Sequence, residues 1–129
     1  MRIFKNAWFM RFARRQGIPD SALRDAVERA ETGRIDADLG GGVLKQRVAR
    51  HGQGKSGGYR TIVLYRRGER AFFVYGFAKS DRDNIDRDEE RAFKNAARHA
   101  LALSERHIAG LVEKGQLSEV KGDDEEVPQ

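Results

Sequence analysis

Lys45, Arg47, Arg50, His51, Lys55, Arg60 and Lys79 are the side chains of this sequence best suited to chemistry on a polyanion. RNA cleavage by its own 2′-hydroxyl needs a base to take that proton, positive charge against the phosphoryl oxygens of the transition state, and an acid for the departing 5′-oxygen. Lysine and histidine can each act as the base, so Lys45 and His51 are both candidates. Arginine is the bidentate phosphate clamp, a role open to Arg47 and Arg60. Mutual repulsion within such a cluster favours the neutral form of a lysine, which is the form a base requires. Arg50 and Lys55 are candidates to grip the RNA backbone, and Lys79 to place the substrate. Tyr59, Tyr65 and Tyr75 supply rings on which unpaired bases can stack, with Tyr59 favoured where the glycine loop meets a strand. The same cations can also hold RNA, DNA or an acidic partner without cutting anything.

The charge is unevenly distributed. A formal net charge of +5 over 129 residues hides a division, because residues 41–79 hold nine Lys/Arg and one acid, Glu69, whereas residues 81–129 hold eight bases and thirteen acids. The middle of the chain is therefore the candidate polyanion surface. With no cysteine, disulfides, thiolate nucleophiles, iron–sulfur ligation and cysteine-based zinc sites are excluded. The three histidines stand apart at 51, 99 and 107, so neither a metal nor another cofactor is expected. Gly54-Lys55-Ser56 ends like a phosphate-binding loop, but Ala49 occupies the position of the first glycine and no helix is predicted to follow. Nucleoside triphosphate hydrolysis is excluded on that ground. No window approaches the roughly 18 apolar residues of a membrane span, and the first twelve residues are too interrupted by charge for a signal peptide. The cytoplasm is the default compartment.

Strands must hold these cations in place. Val43 to Arg50 reads as a first strand, whose period of two puts Lys45 and Arg47 on one face and Leu44 with Val48 on the other. His51 to Gly58 reads as a polar loop, Tyr59 to Tyr65 as a second strand and Arg70 to Phe77 as a third. The second and third are apolar on both faces, which predicts central strands covered by helices. In an antiparallel meander Lys45, Arg47, Arg50, His51, Lys55, Arg60 and Lys79 can converge on one concave surface. Upstream, Trp8, Phe9 and Phe12 mark a helix over residues 6–16, ended by Gly17-Ile18-Pro19. Asp20 or Ser21 caps a second helix whose stripe is Leu23, Ala26, Val27 and Ala30, giving a helical hairpin. Downstream, Asp86-Arg87-Asp88-Glu89 is a capping box for a helix that turns Phe93, Ala96, Ala97, Ala100 and Leu101 to the sheet. A short amphipathic helix is expected near Ile108 to Val112, before an acidic tail at residues 122–129.

In this order the blocks resemble the RelE/HigB-like toxins of bacterial toxin–antitoxin systems, especially a compact HigB-like branch. The resemblance covers about residues 3–104. It is carried by the helical hairpin, by Asp36-Ala37-Asp38-Leu39-Gly40-Gly41-Gly42-Val43-Leu44-Lys45-Gln46-Arg47-Val48, by Gly54-Lys55-Ser56-Gly57-Gly58-Tyr59-Arg60-Thr61, and by Tyr75-Gly76-Phe77-Ala78-Lys79-Ser80-Asp81-Arg82. It implies a RelE/ParE-like α+β fold with an N-terminal helical hairpin, an antiparallel sheet and a C-terminal helix, a toxin domain over residues 1–104 and an extension with an acidic tail over 105–129. It further implies a metal-independent, ribosome-dependent endoribonuclease that inhibits translation by cutting mRNA and is neutralised by a cognate helix-turn-helix antitoxin. On the family pattern the basic residues of the first strand fall on Lys45 and Arg47, the arginine after Gly-Tyr on Arg60, and the basic end of the third strand on Lys79. The arginine and tyrosine that follow that lysine in the RelE branch fall on Ser80 and Asp86. Arg82 is then the candidate replacement cation, and Tyr59, Tyr75 or His51 the group for stacking or proton transfer. The competing class is a noncatalytic RNA- or protein-binding member of the same fold.

Overall fold

The structure is a computed structural model that describes residues 1–50 and 54–121, with the backbone alone for residues 54–56. Its first element is a strand, β1 (Arg2–Asn6), in which Ile3 and Phe4 point to opposite faces and both are buried. Asn6 ends that strand and starts a helix, because its side-chain oxygen accepts a hydrogen bond from the Phe9 amide at 2.8 Å. Helices α1 (Ala7–Gln16) and α2 (Asp20–Glu31) follow, separated at Gly17 to Pro19 as the sequence predicts. Phe9, Phe12, Leu23, Ala26, Val27 and Ala30 are all buried between this hairpin and one face of the sheet.

The remaining elements are β2 (Ala37–Gly40), β3 (Val43–Arg50), β4 (Gly54–Arg66), β5 (Arg70–Ala78), α3 (Arg87–Ala100), α4 (Glu105–Glu113) and β6 (Leu117–Glu119). They form a six-stranded sheet in the order β2-β3-β4-β5-β1-β6. The expected antiparallel meander is β3, β4 and β5. The sheet as a whole is mixed, however, because β1 lies parallel to β5 and β6 antiparallel to β1. A parallel neighbour requires a long connection rather than a hairpin, and here about half of the chain separates the two strands. The polar loop is also shorter than expected, since β4 starts at Gly54, which pairs with Arg50. Gly58 permits this close pairing, because a Cβ there would stand 2.2 Å from the carbonyl oxygen of Val48.

The second face of the sheet is covered by α3 and α4, through Ala97, Leu101 and Ile108 against Phe4, Val43, Ile62, Leu64 and Phe72. α3 starts with the predicted capping box, in which Asp86 accepts from the Glu89 amide at 2.8 Å and Glu89 accepts from the Asp86 amide at 2.9 Å. Beyond residue 104, α4 and β6 add a helix and an outer strand to the same sheet, and Arg2 ties them to β1 through Glu105 and Glu119. The acidic tail from Asp123 lies outside the described residues. Among the described residues no helix is long and apolar enough to cross a membrane.

Candidate functional site

Residues directly opposite each other on adjacent strands share a face of the sheet. Arg47 on β3 lies opposite Arg60 on β4, which lies opposite Phe77 on β5. One step along, Lys45 lies opposite Ile62, which lies opposite Tyr75. Ile62 belongs to the core beneath α3, so Lys45, Arg47 and Arg60 all stand on the α3 side. The second row depends on a bulge. Ile62 pairs with Tyr75 while Val63 pairs with Phe73, which leaves Val74 as the extra residue and sends both Val74 and Tyr75 to the α3 side. α3 packs with Val43 and Leu64, and the three cations, half-buried, lie toward the other end of the same strands.

The electrostatics of this face are unbalanced. Like charges placed directly across a strand pair repel, and no ion pair to Lys45, Arg47 or Arg60 is made among the described residues. The Nη1 atom of Arg60 is buried without a hydrogen-bond partner among them. A buried donor left unpaired costs stability, so the arrangement is one that an anion would complete. Lys45 donates from Nζ to Asn84 Oδ1 at 3.1 Å.

A second wall comes from the segment between β5 and α3. Arg82 donates to Glu89 through both Nη atoms, at 2.6 and 3.1 Å, and to the Tyr75 hydroxyl at 2.8 Å. Its guanidinium carbon lies 5.8 Å from the centre of the Tyr75 ring and 5.5 Å from that of Phe77. The hydrogen bonds from Arg82 hold the Glu89 carboxyl below the usual carboxylate range. Tyr75 is wedged from the other side by Trp8, with ring centres 4.6 Å apart, and by Phe93 at 5.9 Å. Lys79 is the first residue past β5 and is exposed.

The model of the family described as the RelE toxin of the RelE/RelB toxin–antitoxin system matches residues 1–120. The chain belongs to the RelE toxin family. No curated protein matches it. The match runs through α4 and β6, and the hairpin, central mixed sheet and C-terminal helices have the RelE/ParE-like α+β topology.

For this RelE-family chain the structure gathers Lys45, Arg47, Arg60, Tyr75 and Arg82 on one face and separates others from it. Tyr59, expected to stack on bases, is instead a core residue on the α1 side. It is 2% exposed, its hydroxyl donates to Gln16 Oε1 at 3.0 Å, and Phe12 meets its ring edge to face. The reason is the period of two, which sends the residue before Arg60 to the opposite face. Tyr65 points the same way, its hydroxyl donating to Glu31. Arg50 accompanies Tyr59, with its guanidinium carbon 5.7 Å from that ring, and so stands apart from Arg47 and Arg60. His51 and the side chain of Lys55 lie outside the described residues. Ser80 is exposed, and Asp86 is committed to capping α3. The sequence reading missed Asn84, Phe77 and the bracing role of Glu89. Phe77 carried a signal, being two residues from Tyr75 on one strand, whereas Asn84 carried none in its loop. Among the described residues, no three His, Asp or Glu side chains converge in a way that could hold a metal ion.

Proposed function

We propose that this RelE-family chain is a ribosome-dependent, metal-independent mRNA endoribonuclease that inhibits translation in the cytoplasm and is neutralised by a cognate helix-turn-helix antitoxin. The observation that supports it most is the buried Nη1 of Arg60, without a hydrogen-bond partner among the described residues, directly across from Arg47 and on the face that carries Lys45. In this reading Arg47 and Arg60 hold the nonbridging oxygens of the scissile phosphate. Lys45 or His51 takes the proton of the 2′-hydroxyl, the 2′-oxygen bonds to phosphorus, and the bond from phosphorus to the 5′-oxygen breaks. The departing oxygen is protonated as it leaves, which yields a 2′,3′-cyclic phosphate and a 5′-hydroxyl. Tyr75, braced by Arg82 and packed by Trp8 and Phe93, meets the RNA with the edge of its ring, while Lys79 places the strand and Arg50 and Lys55 meet the flanking backbone.

The test is cleavage of ribosome-bound mRNA by purified protein carrying Lys45→Ala, Arg47→Ala or Arg60→Ala. Loss of one aimed phosphate donor is expected to slow cleavage on the order of a hundredfold, about 3 kcal/mol of transition-state stabilisation. Wild-type rates in both Lys45→Ala and Arg60→Ala would reject the assignment. Ribosome binding with intact mRNA at every protein concentration would instead establish the noncatalytic member of the fold.

A further inference from the structure

α3 carries a second set of cations that the site above leaves unused. Arg87, Arg91, Lys94 and Arg98 recur at intervals of four, three and four residues. At helical pitch they fall within an arc of about 60° and run along about 16 Å of helix axis. Phe93, Ala97 and Ala100 pack against the sheet and Glu89 turns to Arg82, so the cationic stripe flanks the buried side of the helix. At its C-terminal end Lys94 and Arg98 join Arg66 around a cleft of about 470 Å³ floored by Gly41, Gly42, Ala97 and Leu101. Its other end begins three residues after Asn84, the acceptor for Lys45, so the stripe leads away from the candidate cleavage face.

The partners of these cations are few. Arg87 and Arg98 form no ion pair among the described residues. Arg91 meets Asp88 at 3.5 Å and Lys94 meets Glu90 at 3.1 Å, both pairs within the same helix and open to solvent. Arg66 reaches Glu69 at 3.7 Å and also donates to the Leu101 carbonyl. Exposed pairs of this kind are weak and exchange readily for a stronger anion. The face also lacks what a protein partner would need. Interfaces between proteins depend on apolar or aromatic anchors, and the large exposed hydrophobic side chains among the described residues, Met1 and Val112, lie elsewhere. Surfaces that bind nucleic acid are instead polar and strongly positive.

We propose that this face of α3 docks the phosphate backbone of a structured RNA, separate from the strand held by Arg47 and Arg60. The inference deepens the reading above and rests on it for the identity of that RNA, which is then part of the ribosome.

The experiment compares R91Q/K94Q/R98Q with a control of equal charge change on α1, R11Q/R14Q/R15Q, and with Arg60→Ala. Binding to purified ribosomes is measured by sedimentation across a salt series, and cleavage of ribosome-bound mRNA is measured at saturating protein. Losing three phosphate contacts is expected to weaken binding on the order of a hundredfold at ~0.15 M salt and to flatten the slope of log K against log salt by about 2.7. The α1 control is expected to change much less, R91K/R98K to retain binding, and R91Q/K94Q/R98Q to cut at the wild-type rate once bound. Wild-type affinity and slope in R91Q/K94Q/R98Q overturn the proposal, and so does unchanged ribosome binding joined to lost affinity for the antitoxin. If the wild type docks through α3 but never cuts, the nuclease reading fails and the docking face stands. If Arg60→Ala binds without cutting while R91Q/K94Q/R98Q binds normally, the docking face fails and the nuclease stands.

Discussion

Replacing Arg60 with methionine should stabilise the protein and disable it together. The arginine holds a buried Nη1 with no hydrogen-bond partner among the described residues and faces Arg47 across the β3–β4 pair. An unpaired buried donor costs roughly 1–3 kcal/mol. A like-charge cross-strand pair is unfavourable by a further few tenths, within the ~0.2–1 kcal/mol range of such pairs. Methionine keeps most of the aliphatic stem that packs on the sheet and removes both penalties, so after some loss of packing the net gain is about 1 kcal/mol. For a chain of this length that raises the melting temperature by about 3–5 °C. Cleavage of ribosome-bound mRNA should fall on the order of a hundredfold in the same preparation, as expected for the loss of an oriented donor. Calorimetry with and without inorganic phosphate completes the assay, since an anion bound between Arg47 and Arg60 would raise the wild-type melting temperature more than that of the variant. An Arg60→Met protein that melts lower than wild type and cleaves at the wild-type rate would refute the reasoning, because Arg60 would then be a structural residue.

Two further outcomes follow from the walls of the site. At Gly76 a Cβ would stand 2.7 Å from the Phe12 ring, so Gly76→Ala must push α1 from β5 and is expected to destabilise by about 1–3 kcal/mol in a denaturant titration. Glu89 has its carboxyl pKa lowered by hydrogen bonds from Arg82, so its stabilisation is complete above the unfolded value, near ~4.3, and is lost as pH falls through the lower folded value. Glu89→Gln should therefore flatten the acid limb of melting temperature against pH and leave a smaller difference between neutral and acidic buffer, while a limb unchanged from wild type would show that the Arg82 pair contributes nothing.

Much of the site was readable from local pattern. The alternation of Val43 to Val48 places Lys45 and Arg47 together, and Leu44 with Val48 in the core beneath α1 and α2. The capping box at Asp86 and Glu89 and the break at Gly17 to Pro19 are likewise local, set by a few consecutive side chains and their hydrogen bonds. The same alternation rules out Tyr59 as a partner of Arg60, a consequence that the position of the glycine loop obscured. β1 was not legible, because five residues without a turn on either side carry little periodicity and its parallel partner β5 lies far along the chain.

Residue types and their period of two determined, without any coordinates, that cations line one face of the first strand and that Arg60 begins the region of the second able to meet them. Tertiary structure alone decided that Arg47 and Arg60 stand opposite each other, that Val74 bulges and turns Tyr75 toward them, and that Asn84 and Arg82 close the wall above. Side-chain periodicity is a property of one strand, whereas register, bulges and loop contacts arise from pairing between distant segments, and these place charges against one another in space.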